Sequence, residues 1–111
     1  MAEKTKLAAI GEKNVMLIFK AMGVDVFPSS APQEAEGWIR KLAKQGYGII
    51  FITEEIAARL DPVIREYSYE FSPSIVVIPG LKERNNYAIR RLRQAIIKAV
   101  GADVIGGEVS E

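Results

Sequence analysis

From Gly48 to Thr53 the chain reads Gly-Ile-Ile-Phe-Ile-Thr, apolar without interruption, and Ser74 to Ile78 repeats the pattern between two prolines. A strand with one wet face alternates polar and apolar residues; an unbroken run rich in isoleucine and valine fits a strand covered on both faces, which is the habit of parallel sheets. Two shorter runs, Leu7 to Ile10 and Val24 to Phe27, bring the expected strands to four. Between them lie segments of helical period. Asn14 is a candidate N-cap for a helix through Met22 that Gly23 stops, and Ser30 with Gln33 three residues later has capping-box spacing. Ala35, Trp38, Ile39, Leu42 and Ala43 then recur on one face until Gly46. Thr53 is placed to cap a further helix with Glu54 and Glu55 in its first turn, where carboxylates complement the helix dipole. Ile56, Leu60, Val63, Ile64 and Tyr67 supply its inner face, and Pro62 breaks or restarts it near Asp61. Strands alternating with helices of this length imply right-handed βαβ units. The expected fold is α/β: a small doubly wound four-stranded parallel sheet, receiver-like or Rossmann-like, followed by a C-terminal helix.

Composition narrows the chemistry. At 111 residues the chain is one domain, and with neither histidine nor cysteine it lacks the usual general base near neutral pH, any thiolate and any disulfide. No enzyme activity, metal or cofactor is therefore expected. The formal net charge of +1 gives no whole-molecule attraction to nucleic acid or anionic lipid. The apolar runs fall far short of the ~20 residues that span a bilayer. The charged opening Met1 to Lys6 is not followed by a leader's apolar core, so a cytoplasmic protein is expected.

The loops that follow the first and third strands are where a parallel sheet binds ligands. After the first come Gly11, Glu12, Lys13 and Asn14, with one glycine where a dinucleotide loop needs three. A phosphoacceptor receiver site needs an acidic pair there and an aspartate after the third strand; this chain has Glu12 alone and Thr53. Glu54 and Glu55 are adjacent on a helix and point about 100° apart, which suits helix-start stabilisation better than a shared substrate atom. Tyr67, Tyr69 and Phe71 alternate before the last strand and are expected to pack against the sheet edge, since no basic cluster flanks them to make a platform for bases.

The last periodic segment, Lys82 to Lys98, holds six lysines and arginines against one glutamate, with Ile89, Leu92, Ile96 and Ala99 in a narrow stripe. Two readings compete. The segment is the last covering helix of the sheet with a solvated basic face, or its stripe docks on another protein. The narrowness of the stripe and the polar linker Gly80 to Asn86 favour docking. Gly101 to Glu111 has no periodicity and is expected to fray.

Three segments carry a resemblance: the turn Ile10-Gly11-Glu12 leading to Phe19-Lys20-Ala21-Met22-Gly23-Val24, the run Ile50-Phe51-Ile52-Thr53-Glu54-Glu55-Ile56-Ala57, and Pro73-Ser74-Ile75-Val76-Val77-Ile78-Pro79-Gly80. In their order and spacing the chain resembles the F subunit of the V-type and A-type ATPases and ATP synthases over about residues 6 to 105. Gly80 departs from the family's usual serine. The resemblance implies a non-catalytic rotor subunit of the central stalk, coupling ATP hydrolysis or synthesis to proton or sodium transport, cytoplasmic and peripheral to the membrane. It further implies a receiver-like body over residues 1–80, a helix over 81–105 docking on the coiled-coil D subunit of the stalk, and a tail over 106–111. The socket subunit and the catalytic hexamer are implied further partners, with no nucleic acid and no membrane insertion. The expected interface residues are Ile89, Arg90, Leu92, Arg93, Ile96, Ile97 and Val100. The alternative is a free-standing receiver-like regulatory module binding a small anionic ligand over Gly11 to Asn14; a nucleic-acid module using the basic helix is a third.

Overall fold

The two strands with the most complete burial, β1 (Leu7–Gly11) and β3 (Ile49–Thr53), lie side by side at the centre of a four-stranded parallel sheet. β2 (Asp25–Pro28) flanks β1 and β4 (Ser74–Ile78) flanks β3, giving the order β2-β1-β3-β4. Ala8 to Ile10 pair with Asp25 to Phe27 on one side and with Ile50 to Ile52 on the other. The computed structural model describes residues 5–80 and 85–100, the side chain of Val100 excepted. The expectations for the tail from Gly101, and for most of the linker between Gly80 and Asn86, lie outside the described residues.

The period of two divides the central strands between two cores. Ala8, Ile10, Ile50 and Ile52 face α2 (Pro32–Lys44), α3 (Glu54–Ala57) and α4 (Asp61–Tyr67), which bury Ala35, Ile39, Leu42, Ile56 and Val63 against them together with Leu60 from the turn between α3 and α4. Ala9 and Phe51 face α1 (Lys13–Ala21) and α5 (Asn86–Val100), which bury Val15, Met16, Phe19, Leu92 and Ile96. Phe19 and Phe51 meet with ring centroids 5.1 Å apart, a contact worth about 0.5–1.5 kcal/mol beyond its buried area. The chain moves one way across the sheet through α1 and the other way through α2 and α3–α4. Crossovers of one hand must then lie on opposite faces, as they do.

Both glycine stops are formed. At Gly23 and Gly46 φ is +86°, and each helix end is closed by paired bonds: Val24 N–H to Phe19 O with Gly23 N–H to Lys20 O, and Tyr47 N–H to Leu42 O with Gly46 N–H to Ala43 O. Phe19 with Val24, and Leu42 with Tyr47, are the apolar pairs that accompany such a closure. Pro62 stands in the first turn of α4, so the break expected near Asp61 is where the two helices separate.

The helix starts differ from expectation. α1 begins at Lys13 with Glu12 as its N-cap, and Asn14 Oδ1 accepts instead from the next residue, Val15, at 2.9 Å. α2 begins at Pro32 behind Ala31 with no side-chain cap, so the Ser30–Gln33 capping box does not form. Proline at the first helical position sets φ and forgoes a donor that would otherwise need capping. Thr53 is the N-cap of α3, but its hydroxyl caps nothing and lies buried without a partner. Two further expectations are corrected. β4 is an edge strand with Val77 48% exposed, because an apolar run reads alike whether one or two neighbours flank it. Of the three alternating aromatics only Tyr67 packs on the core. Tyr69 and Phe71 stand in solvent at 86% and 102% exposure, because the chain turns there, with Glu70 N–H bonding Tyr67 O, and strand alternation does not extend into a turn.

Candidate functional site

α5 opens on a side-chain cap: Asn85 Oδ1 accepts from Ala88 N–H at 2.8 Å, and Asn85 O accepts from Ile89 N–H at 3.1 Å. An asparagine directly before a periodic segment is a start signal that the sequence displays and that places the helix four residues after Lys82. From Asn86 to Val100 the helix carries Arg90, Arg91, Arg93 and Lys98 and no carboxylate. All four are exposed. Arg91 lies 5.9 Å over the Tyr87 ring, and among the described residues none of the four is in an ion pair. The helix therefore concentrates positive charge, while the rest of the chain, with eleven basic against fourteen acidic residues, is net negative.

Its apolar residues separate into two lines. Leu92 and Ile96, 3% and 0% exposed, enter the core that holds Phe51 and Ile78, so the middle of the sequence stripe is sealed on the chain's own sheet. Ile89 and Ile97 are half-buried, with Arg93 midway between them at i, i+4, i+8 spacing on one flank, and among the described residues neither isoleucine belongs to the two cores. Ala99 is exposed. Of the seven expected interface residues, two are core, Ile89 and Ile97 form a shoulder beside them, and Arg90 and Arg93 are open to solvent. The side chain of Val100 lies outside the described residues. An amphipathic stripe has the same period whether it faces a sheet or a partner, so only three-dimensional packing separates the two lines.

At the carboxyl ends of β1 and β3, where the connections leave in opposite directions across the parallel sheet, the structure places Gly11, Glu12 and Thr53. Ser29 N–H donates to Gly11 O at 2.9 Å, and Gly11 lies so close to Thr53 that a Cβ there would come 2.5 Å from Thr53 Cγ2. Glu12 Oε1 and Thr53 Oγ1 are both buried without hydrogen-bond partners. Among the described residues no three histidine, cysteine or acidic side chains gather as a metal site, and no helix is long and apolar enough to cross a membrane.

Known proteins share this arrangement of segments. The profile of the family described as "ATP synthase (F/14-kDa) subunit" matches residues 7–96. The F subunit of the V-type ATP synthase of Fusobacterium nucleatum is 38% identical over 100 residues, 90% of this chain and 95% of the relative. That of Clostridium botulinum is 35% identical over 100 residues, 90% of this chain and 97% of the relative. The F subunit of the A-type ATP synthase of Methanothermobacter thermautotrophicus is 28% identical over 103 residues, with 91% and 97% covered.

Proposed function

The chain belongs to the F-subunit family of V-type and A-type ATP synthases, and from that premise we propose that it works as a non-catalytic rotor component of the central stalk, with α5 as the element that bears on the coiled-coil D subunit. The observation that carries this reading is the shoulder of α5. Two isoleucines outside either core, spaced to follow a second helix and bordered by arginines without an ion pair among the described residues, form a surface that the described residues do not cover. A shaft component transmits torque by shape and not by reaction. It needs a stiff body, an apolar line that resists sliding, and charges that set register and partner. The body over 1–80 meets the first need with central strands packed on both faces, and the segment 81–105 supplies the others. The lack of histidine and cysteine supports a role without turnover, and the scarcity of long apolar segments supports a place in the soluble, cytoplasmic sector beside the membrane. There it would couple ATP hydrolysis or synthesis to proton or sodium movement, together with the socket subunit and the catalytic hexamer.

Within this reading Ile89, Arg90, Arg93 and Ile97 make contact with the helix where it stands. Leu92 and Ile96 hold it on its sheet, and they reach the stalk only if α5 lifts away. Mixing the purified chain with the purified D subunit tests the proposal. The wild type should form a stable complex, and Ile89→Asp/Ile97→Asp should weaken it by at least about tenfold, since each buried aliphatic anchor contributes on the order of 1–2 kcal/mol. The same variant should keep the wild-type circular dichroism and a cooperative melt lowered by no more than about 10 °C, because neither side chain lies in a core. Absence of a wild-type complex, or a variant that binds equally well, would end the proposal.

A further inference from the structure

The chain has nine aromatic side chains, and seven of them are satisfied within the molecule. Phe19, Phe27 and Phe51 pack ring against ring. Tyr47, Trp38, Tyr67 and Tyr87 each carry a cation of the same chain over the ring: Lys6 at 4.4 Å, Lys41 at 5.4 Å, Arg40 at 5.8 Å and Arg91 at 5.9 Å. Tyr69 and Phe71 are different. They are the most exposed large apolar side chains among the described residues, and there no ring and no cation covers either of them. Neither contributes to a core, so folding does not account for them.

Beside Phe71 opens a cavity of about 260 Å³ whose apolar lining includes Ile64, Pro73 and Ile75, with Tyr67 and Glu70 also in its wall. Tyr69 borders a neighbouring hollow with Asp61, Arg65 and Glu66. From Asp61 to Phe71 there are three carboxylates against one arginine. Asp61 is paired with Arg65 and Glu66 with Arg40, whereas Glu70 has no ion pair among the described residues. The corner thus combines an apolar hollow, two uncovered aromatic faces and an uncompensated negative charge. It lies on the α4 face of β4, across the sheet from α5.

We propose that the corner from Tyr67 to Ile75 is a docking surface for a cationic segment of another protein. An arginine or lysine would lay its aliphatic stem over Ile64 and Ile75 and bring its charge to Glu70 and the face of Phe71, as the chain's own cations do at the four covered rings. Aromatic side chains left uncovered beside a pocket are the kind that dominate interface energies. This surface is separate from the shoulder of α5 and does not depend on it.

The test is a titration of isotopically labelled full-length chain, followed by nuclear magnetic resonance, with an acetylated peptide alternating leucine and arginine and with its citrulline counterpart, which keeps the shape and removes the charge. The arginine peptide should shift resonances of Tyr67, Tyr69, Phe71 and Ile75, while citrulline at the same concentration should not. Phe71→Ala/Glu70→Gln should weaken that binding by about tenfold while the melting temperature and binding to the D subunit stay unchanged. Glu70→Gln alone, which removes no packing, should weaken it in part. Four results would overturn the assignment: no shifts, equal shifts with citrulline, shifts confined to α5, or shifts without peptide that grow with protein concentration and so report a second copy of the chain.

Discussion

Gly11 and Thr53 face each other one step beyond the Ile10–Ile52 pair in the β1–β3 register, and their contact explains both residues. The threonine side chain fills the space where any Cβ at position 11 would stand, so glycine is needed there for close approach and not for an unusual φ. The hydroxyl is left without a partner because packing decided the orientation of the side chain. Gly11→Ala should therefore destabilise the fold by about 1–3 kcal/mol as an overpacking change. Thr53→Ala, which removes the two nearest atoms, the orphaned hydroxyl oxygen being one of them, should be far milder. In chemical denaturation the double variant should recover most of the loss. An additive double variant would show that the contact is not the cause. Sequence reading places Gly11 as a turn residue and Thr53 as a cap; the contact between them joins positions 42 apart and is invisible without the sheet.

At the scale of the element, α5 divides its side chains between its own sheet and the solvent. Leu92→Ala and Ile96→Ala each remove buried volume and should cost about 2–5 kcal/mol. Ile89→Ala and Ile97→Ala, outside both cores, should cost less than about 1 kcal/mol. Thermal melts of the four variants distinguish a helix integral to the fold from one resting loosely on it. Equal and small losses at all four positions would mean that α5 contributes little to the core. The other helices were more legible. Gly23 and Gly46 end α1 and α2 because a left-handed residue is a local requirement, and Pro62 opens α4 because a missing donor is tolerated only in a first turn. Starts were less legible because Pro32 competes with Ser30, and the choice between two local devices is settled by where the helix must sit on the sheet.

For the molecule as a whole, two side-chain linkages join distant segments, and they set its pH range. Arg40 reaches Glu66 with both terminal nitrogens at 3.1 Å and Glu36 at 3.2 Å, tying α2 to α4; Tyr47 donates its hydroxyl to Asp25 at 2.7 Å, tying the entry of β3 to β2. Hydrogen bonding to Arg40, then its charge, holds Glu66 below the usual carboxyl value of 4.5, so its contribution is present above that pH and is lost as pH falls through the lowered value. The bond to Asp25, then burial, raises Tyr47 above the usual 10.0, so its contribution is present below that pH and is lost as pH rises through the raised value. With no histidine to titrate between them, the melting temperature should stay flat from about pH 6 to 9. Glu66→Gln should blunt the acid limb slightly, since the pair is exposed, and Tyr47→Phe should blunt the alkaline limb. A step near pH 6.5 would contradict this account. Local physics, read from sequence alone, was enough for the α/β class, the four strands, the glycine helix ends and the basic last helix, because each rests on periodicity or backbone limits within a few residues. The order β2-β1-β3-β4, the edge position of β4, the seating of Leu92 and Ile96 on their own sheet and the exposure of Tyr69 and Phe71 were decided only by tertiary structure. An apolar residue carries the same preference for burial whichever surface buries it, and only the assembled fold assigns the surface.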